Sequence, residues 1–287
     1  RPLYNKVIQG RYPPGSTWKL ATAAMALESG VVSLDDHMPV PCTGGFQFGN
    51  RYFKCWNHKG HGNLTLAEAI EQSCDVYFYQ LGLKLGLSRL VAGGIRFGGR
   101  ERSGIDLPDE SRPLFPYADA EEYYDRKYGK RGWSQAVLLN LAIGQGENAQ
   151  TVANMARFYT ALATDGTEAR PEIARHKPER TRVLTLSDDQ MDGLRAAMAG
   201  VVSSGTARSA QIHGVVLAGK TGSAQNSQDR TRDHAWFVGF APADDPKIVV
   251  AVLIEFGGHG GRSARIASSI IQQYLKVAPA AHINTEG

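Results

Sequence analysis

This sequence of 287 residues has no long apolar run, a small net charge and few cysteines. The longest apolar run, IVVAVLI at residues 248–254, has the length of a strand and is far shorter than the roughly 20 residues that cross a bilayer. The formal net charge is only +4 and the Lys and Arg residues are scattered, which argues against a nucleic-acid-binding protein. Three cysteines allow at most one disulfide within the chain.

What the sequence does contain is the composition of a packed globular protein. Hydrophobic residues make up 42% and aromatic residues 9% of a chain that is long enough for one large domain or two small ones. The sequence begins at Arg1 with neither an initiator methionine nor a signal peptide, so we expect it to be part of a longer protein.

Helical patterns dominate residues 16–202. The segment from Ser16 to Gly30 is rich in Ala and Leu and ends at a glycine, which is typical of a helix C-terminus. Thr65 and Glu68 have the spacing of a capping box at the start of a second helical zone. The other expectations for this part of the chain are loop-rich stretches at 31–63 and 97–133 and helices at 151–166 and 187–202.

The character of the sequence changes near Ile212. Segments 215–225, 234–242 and 247–256 are predicted strands, and the short link ADDP predicts an antiparallel hairpin between the last two. Residues 264–276 then form an amphipathic helical pattern. Helices followed by an antiparallel sheet with a terminal helix predict an α+β fold.

The stretch YPPGSTWKL, residues 12–20, raises a chemical question at the start of the first helix. Ser16 is suited to cap free backbone N–H groups there. Lys19 puts a cation where the helix dipole is already positive, at a cost of roughly 0.3–1 kcal/mol. Residues three apart share a helix face, so the hydroxyl and the ammonium can meet. The pair predicts a serine nucleophile with a lysine base, provided that burial or a nearby cation favours the neutral amine.

A second lysine lies on the first predicted strand, in the segment AGKTGSA. Lys220 stands between Gly219 and Gly222, small residues that let a substrate approach the backbone closely. The hydroxyls of Thr221 and Ser223 are placed to bind a carboxylate. We therefore predict that this strand contributes a cation and two hydroxyls that bind a carboxylate of the substrate.

The triplet SCD supplies the third element, in the break between two predicted helices. The hydroxyl of Ser73 can relay a proton between the lysines and a leaving group, and Asp75 can orient a lysine or hold substrate. STWK, SCD and KTGS in this order form the motif set of penicillin-interacting serine enzymes. The chain resembles the transpeptidase domain of class B penicillin-binding proteins from YPPGSTWK through GIDLPDE, LAIGQGENAQT, SSGTAR and AGKTGSAQ to HAWFVGFAP.

Within that family, the Asp of SCD and the segment GHGNLTL resemble the elongation-type penicillin-binding protein 2 group. The resemblance implies the fold shared with serine β-lactamases: an antiparallel sheet with helices on both faces, plus a mainly helical subdomain. We expect one transpeptidase domain over residues 1–287, with the helical and loop subdomain at about 31–200 and the sheet region at about 212–275. The N-terminal strands, pedestal and membrane anchor of the family are expected outside this sequence.

The activity implied by the resemblance is D,D-transpeptidation, in which Ser16 attacks the D-Ala-D-Ala carbonyl of a peptidoglycan stem peptide. Lys19 is then the base, Ser73 and Lys220 carry the leaving-group proton, and the strand hydroxyls bind the terminal carboxylate. The backbone N–H groups of Ser16 and Ser223 form the oxyanion hole. No organic cofactor is implied.

Three other features of the sequence have competing interpretations. Trp236 is expected to line the substrate groove, although an aromatic residue on a half-buried strand is more often part of the core. Glu147 invites comparison with a deacylating base, but the surrounding GQG loop matches the transpeptidases better. The tyrosine-rich segment 121–133 is expected to be a surface loop.

The three cysteines lie in the segment with the weakest periodicity. Cys42, Cys55 and Cys74 either form one disulfide with a spare thiol or combine with His61 as a closed Cys3His zinc site. The spacings of thirteen, six and thirteen residues lack the CxxC knuckle, and His58 is the alternative nitrogen ligand. The resemblance favours a structural zinc, because some elongation-type relatives carry a metal site in this stretch.

The resemblance also implies partners and a place in the cell. They are peptidoglycan stem peptides, β-lactams bound covalently to Ser16, a SEDS-type glycosyltransferase, elongation scaffold proteins, and the periplasmic face of the bacterial inner membrane. Two rival functions share the motifs: a serine β-lactamase, which needs a placed base for water, and a β-lactam sensor that acylates once. No residue in the sequence is a clear candidate for the deacylating base.

Overall fold

The computed structural model describes residues 4–174, 177–225 and 232–277. Nine α-helices lie in these ranges: α1 Lys19–Glu28, α2 Leu66–Glu71, α3 Asp75–Leu85, α4 Leu87–Arg96, α5 Ala120–Tyr128, α6 Ala136–Ala142, α7 Val152–Ala163, α8 Asp188–Ser203 and α9 Gly261–Leu275. The strands in the same ranges are β1 Gly45–Phe48, β2 Arg51–Lys54, β3 Thr167–Ala169, β4 Arg180–Arg182, β5 Ala218–Ala224, β6 His234–Ala241 and β7 Ile248–Ile254.

The main sheet is antiparallel and has the strand order β5-β6-β7 within the described residues. Every residue of β6 is buried, so both faces of the sheet are covered there. Helix α8 packs along β5, and α7 and α9 pack along β6 and β7. This arrangement confirms the three predicted strands, the closing helix and the α+β class.

Helix α1 lies in the centre of the molecule, and its residues 19–27 are all buried. A helix that is apolar on all sides is stable only when other elements surround it, and α2, α3 and α4 do so. Its end is a Schellman motif: the N–H of Gly30, at φ 63°, bonds to Leu27 O and the N–H of Val31 bonds to Ala26 O. The predicted helix end at Gly30 is confirmed.

The capping box predicted from Thr65 and Glu68 is present at the start of α2. The Thr65 side chain accepts from the Glu68 N–H, while the Glu68 carboxylate accepts from the Thr65 N–H at 2.8 Å. A second capping box, formed by Ser187 and Gln190, starts α8. These local bonds fix the starts of two helices that pack on each other in the fold.

Two expected loop regions contain regular structure. Residues 31–63 include the antiparallel hairpin β1-β2, and residues 97–133 include α5, so both expectations are wrong in part. Asp119 caps α5 by accepting from the Glu122 N–H. Helix α5 is strongly charged on its outer side and buries Tyr124, so its single packed face gives almost no periodic apolar signal in the sequence. No helix in the described part of the chain combines the length and apolarity that crossing a membrane requires.

Candidate active site

The turn that carries Ser16 is a short 3-10 helix, Gly15–Trp18, that runs directly into α1. Among the described residues, neither Pro14 nor Trp18, the N-caps of the two helices, makes a side-chain capping bond. Ser16 lies inside the 3-10 turn and does not cap the α-helix. Its two neighbours in the chain are buried, whereas Ser16 is partly exposed, as a nucleophile must be to meet a substrate.

Hydrogen bonds from distant parts of the chain hold this turn in place. The N–H of Gly15 donates to Gly144 O at 3.0 Å, which ties the turn to the GQG loop after α6. The hydroxyl of the fully buried Tyr159, on α7, donates to Thr17 O at 2.8 Å. The backbone around Ser16 is therefore fixed from two sides.

Lys19 joins the Ser16 turn to the SCD segment. Its side chain is completely buried, and Nζ donates to Asp75 Oδ1 at 2.7 Å, to Ser73 O at 2.8 Å and to Ser73 Oγ at 3.4 Å. Three acceptors around a buried nitrogen match the three N–H donors of an ammonium group. The predicted meeting of Lys19 with the SCD segment is present.

Ser73 adopts an unusual backbone conformation between α2 and α3. Its φ of 57° lies in the left-handed region, which costs a non-glycine residue of order 1–3 kcal/mol. Surrounding contacts must offset this cost, and the conformation turns both the carbonyl and the hydroxyl of Ser73 toward Lys19. Asp75 then begins α3, where the positive end of the helix dipole stabilises its negative charge.

Lys220 is the second fully buried lysine of the site. Burial, followed by repulsion from the charge of Lys19, holds the pKa of Lys220 well below its ordinary value, while Asp75 opposes the shift. Its Nζ lies 3.3 Å from Thr221 O. The two lysines are thus electrostatically coupled, and Lys220 favours the neutral amine.

The strand β5 approaches the Ser16 turn so closely that two glycines are required. A Cβ added at Gly15 would lie 2.9 Å from Ser223 O, and one added at Gly222 would lie 3.0 Å from Pro14 O. The space at Gly222 is therefore taken by the turn itself, rather than left open as the sequence suggested. This contact puts Ser223 beside the nucleophile turn.

The hydroxyl of Thr221 contacts a second hydroxyl, that of Thr206, to which the sequence motifs assigned no role. The Oγ1 atoms of Thr221 and Thr206 lie 2.5 Å apart. Thr206 belongs to the segment SSGTAR, one of the segments that carry the family resemblance. The contact adds a second hydroxyl to the predicted carboxylate-binding strand.

Trp236 differs from its expected place in the substrate groove. The residue is completely buried, and its indole N–H donates to Pro13 O at 2.9 Å. Its ring also packs edge-on against Tyr12. On strand β6, Trp236 supports the loop before Ser16, which is the core interpretation that the sequence left open.

Glu147 is buried beneath α5 and tied to three of its side chains. Its carboxylate accepts hydrogen bonds from Tyr124 at 3.2 Å, from Lys127 at 2.9 Å and from Tyr128. Burial alone would raise the pKa of Glu147, but the bonds from Tyr128 and Lys127 outweigh it and the pKa is lowered. The tyrosine-rich segment is thus a helix that holds the GQG loop, and its interpretation as a surface loop is wrong.

Trp56 also contacts the site, although its position in the sequence gave no signal. Its backbone N–H donates to Asp75 Oδ2 at 3.0 Å, and its indole N–H lies 3.1 Å from both Gln72 O and Ser73 O. The residue sits in the cysteine-rich loop, seventeen residues before Ser73, so only the tertiary fold brings it to the SCD segment.

The predicted Cys3His set comes together in the structure. The ligand atoms of Cys42, Cys55, His61 and Cys74 all lie within 4.8 Å of one another. All three cysteines are free thiols, so the disulfide alternative is not what the structure contains. The histidine in the cluster is His61, while His58 is exposed.

The geometry of this cluster fits a tetrahedral zinc ion. Zn–S bonds of about 2.3 Å and Zn–N bonds of about 2.0 Å separate tetrahedral ligand atoms by about 3.5–3.8 Å. The Nδ1 atom of His61 lies 3.5 Å from the sulfurs of both Cys42 and Cys55. The hydrogen bond between Cys55 and Cys74 lowers the pKa of the Cys55 thiol and raises that of Cys74, so this pair favours a thiolate at Cys55.

Comparison with known proteins identifies the family. The family model for the penicillin-binding protein transpeptidase domain matches residues 1–273. The chain belongs to the penicillin-binding protein transpeptidase family. The peptidoglycan D,D-transpeptidase MrdA of Acinetobacter baumannii is 32% identical to it over 299 aligned positions, which cover 96% of this chain and 44% of that protein. The chain thus spans less than half the length of that relative.

Solved structures confirm the penicillin-binding protein fold. The crystal structure of Pseudomonas aeruginosa PBP2 in complex with WCK 5153 is 36% identical with a TM-score of 0.85, and the match covers 96% of this chain and 61% of that chain. PBP2 of Helicobacter pylori, solved in complex with MreC, is 30% identical with a TM-score of 0.84 and coverages of 96% and 52%. The predicted likeness to the PBP2 group is confirmed.

In this penicillin-binding protein domain, the three motif segments that carried the resemblance lie on different elements. The Ser16 turn leads into α1, the SCD segment links α2 to α3, and the KTGS segment is the edge strand β5 of the sheet within the described residues. The buried Lys19 bonds to the second segment, and the Ser16 turn packs on the third. The fold therefore assembles them around one point.

Proposed function

We propose that this chain is the D,D-transpeptidase domain of an elongation-type penicillin-binding protein 2. Ser16 attacks the D-Ala-D-Ala carbonyl of a stem peptide, D-alanine leaves, and an amine of a neighbouring stem peptide takes the acyl group. The observation that carries the proposal is the bonding of the buried Lys19 to Ser73 and Asp75 one helical turn after Ser16. The identity with proteins named peptidoglycan D,D-transpeptidase MrdA supports it.

The proposed proton path uses both lysines. As an ammonium paired with Asp75, Lys19 first passes one proton through the hydroxyl of Ser73 to the amine of Lys220, which is neutral because its pKa is low. The same low pKa makes this transfer uphill and makes the protonated Lys220 a strong acid for the later step. The neutral Lys19 then takes the proton of Ser16 as the acyl bond forms. Lys220 returns its proton through Ser73 to the leaving D-alanine amine.

Strand β5 supplies the proposed substrate-binding groups. The hydroxyls of Thr221 and Ser223 bind the terminal carboxylate, and the charge that Lys220 gains in the reaction strengthens this contact. The close packing of Gly15 on Ser223 supports an oxyanion hole made by the N–H groups of Ser16 and Ser223. Each such donor contributes roughly 3–4 kcal/mol in related acyl transfers.

A β-lactamase would require a general base that activates water and so hydrolyses the acyl-enzyme rapidly. Glu147, the acid closest to that role in the sequence, is buried and holds three donors from α5. A carboxylate committed to these bonds is poorly suited to activate water. This observation favours the transpeptidase over the β-lactamase, and β-lactams then form lasting adducts at Ser16.

We propose that Cys42, Cys55, His61 and Cys74 hold one structural zinc ion. Four protein ligands close the coordination sphere, so the ion orders the surrounding loop and leaves no position for a substrate. Cys74 stands between Ser73 and Asp75, so the cluster also restrains the SCD segment. No organic cofactor takes part in the proposed reaction.

The proposed place of the domain is the periplasmic face of the inner membrane, in the machinery of cell elongation. The solved complex of Helicobacter pylori PBP2 with MreC supports a scaffold partner of that kind. A SEDS-type glycosyltransferase, which supplies the glycan strands, is the other partner implied by the resemblance. These assignments concern the longer protein to which such a domain belongs.

Intact-mass spectrometry with a fluorescent penicillin tests the proposed function. We expect a one-to-one adduct that lasts for hours in the parent chain and in Ser203→Ala, a control that removes an exposed serine, and none in Ser16→Ala. An adduct that clears within seconds would indicate a β-lactamase, and no adduct in any variant would contradict the assignment of Ser16. Exchange of the terminal D-alanine of a pentapeptide for an added D-amino acid separates a transpeptidase from a sensor.

A further inference from the structure

Trp56 makes an unusual set of hydrogen bonds for an exposed residue. Its relative exposure is 55%, yet both of its N–H groups are directed at the SCD segment. The backbone N–H donates to Asp75 Oδ2 at 3.0 Å. The indole Nε1 lies 3.1 Å from two carbonyls, Gln72 O and Ser73 O.

Two of these acceptors are the ones that hold Lys19. Ser73 O accepts from Lys19 Nζ at 2.8 Å on one side and from the Trp56 indole on the other. The Asp75 carboxylate is divided in the same way, with Oδ1 bonded to Lys19 and Oδ2 bonded to the Trp56 backbone. Trp56 and Lys19 therefore bond to the same two residues of the SCD segment.

We propose that Trp56 is a positioning residue for acyl transfer, in which its indole N–H holds Ser73 in the geometry that serves Lys19. The inference rests on the proposed function. Ser73 keeps a left-handed φ of 57°, a conformation that persists only when tertiary contacts over-determine it. The bifurcated bond from the indole restrains the carbonyls of the two peptide units that flank the Ser73 Cα.

The simpler interpretation of Trp56 is that its ring covers the cysteine cluster. The ring packs on His61 with centroids 5.3 Å apart, and its neighbour Cys55 is a cluster residue. That contact depends on the aromatic face, whereas the restraint on Ser73 depends on the N–H. A change that removes only the N–H therefore separates the two roles.

Two changes at position 56 remove this donor. Trp56→Phe keeps an aromatic ring beside His61 but is smaller than the indole. Incorporation of 3-benzothienylalanine keeps the size and shape of the indole and replaces its N–H by sulfur. The matched control is Trp133→Phe, which removes an indole N–H bonded to Asp125 Oδ1, on α5, at 2.8 Å.

Acylation by a fluorescent penicillin is followed over a range of concentrations, so that the first-order acylation constant is separated from the dissociation constant of the initial complex. For both changes at position 56 we expect the acylation constant to fall about tenfold, the effect of one hydrogen bond of ordinary strength. We expect the dissociation constant to stay within about twofold, because the binding groups on β5 are untouched. Trp133→Phe should match the parent chain in both constants.

The readouts distinguish positioning from loss of structure, since the acylation constant describes only folded molecules and the final labelled fraction counts them. A lower labelled fraction with an unchanged acylation constant would overturn the inference. So would a loss of rate that occurs only together with a loss of bound zinc. If the parent chain itself is not acylated, the proposed function fails and this inference fails with it.

Discussion

The hydroxyl of Tyr159 donates to the carbonyl of Thr17 at 2.8 Å, and the tyrosine is completely buried. The bond connects α7 to the residue that follows the proposed nucleophile, across 142 positions of the chain. Helix α7 also packs on the sheet, so one side chain relates the Ser16 turn to the strands. The position of the nucleophile is thus set by distant elements rather than by its own helix.

Removing this hydroxyl should affect both stability and acylation. Tyr159→Phe leaves the buried Thr17 carbonyl without that donor, so we expect a loss of about 1–2 kcal/mol of unfolding free energy and a several-fold slower acylation. The control is Tyr79→Phe, which removes a comparable bond to Lys54 O at 2.9 Å on the hairpin side. It should lower stability and leave the acylation constant unchanged. Equal slowing in both variants would mean that the bond to Thr17 has no special effect.

Replacement of Lys220 should stabilise the protein while abolishing acylation. The pKa of Lys220 is lowered by burial and by Lys19, so at neutral pH the unfolded state binds its proton more tightly than the folded state does. Lys220→Met removes this cost, and we expect a gain of roughly 1–3 kcal/mol at pH 7. The gain should shrink as the pH approaches about 10.4, where the unfolded lysine also loses its proton.

Urea unfolding at pH 7 and pH 9.5 measures this difference. Lys54→Met, which changes an exposed lysine of β2, is the control and should show no pH-dependent gain. A Lys220→Met variant less stable than the parent chain at pH 7 would contradict the assignment of a buried, destabilised amine.

Glu147 should contribute stability that disappears in acid. Its pKa is lowered because the bonds from Tyr128 and Lys127 outweigh burial, so the contribution is complete above the unfolded pKa of about 4.3 and is lost as the pH falls through the lower folded value. We expect Glu147→Gln to cost about 1–3 kcal/mol at pH 7 and less near pH 3. Urea unfolding at both pH values, beside the exposed control Glu121→Gln, provides the test. A pH-independent cost would indicate a packing effect rather than loss of the charge.

Metal analysis of the purified chain should give one zinc per molecule. His61→Ala removes a cluster ligand, so it should lower the zinc content well below one and reduce the thermal unfolding temperature. His58→Ala, three residues away on an exposed side chain, should keep both values of the parent chain. Full zinc content in His61→Ala together with loss of zinc in His58→Ala would show that His58, not His61, is the nitrogen ligand.

Local sequence signals predicted the elements whose formation depends on neighbours in the chain. The Gly30 helix end, the Thr65–Glu68 capping box and the three strands from 215 onward were all correct, because capping and alternation are read within a few residues. Helix α5 and the hairpin β1-β2 were missed. Both depend on tertiary contacts that leave no periodic pattern in the sequence. For α5 an example is the bond from Tyr124 to Glu147, and for the hairpin the bond from Tyr79 to Lys54 O.

The sequence by itself determined which groups are available for the proposed chemistry, since Ser16, Lys19, Ser73 and Lys220 follow from three short motifs. Only the tertiary structure decided how these groups are arranged. It showed that Lys19 is committed to Asp75 and that Trp236 is buried under the Ser16 loop. It also brought Trp56 to Ser73. These contacts join positions far apart in the chain, and their geometry depends on how helices and sheet pack rather than on any local preference.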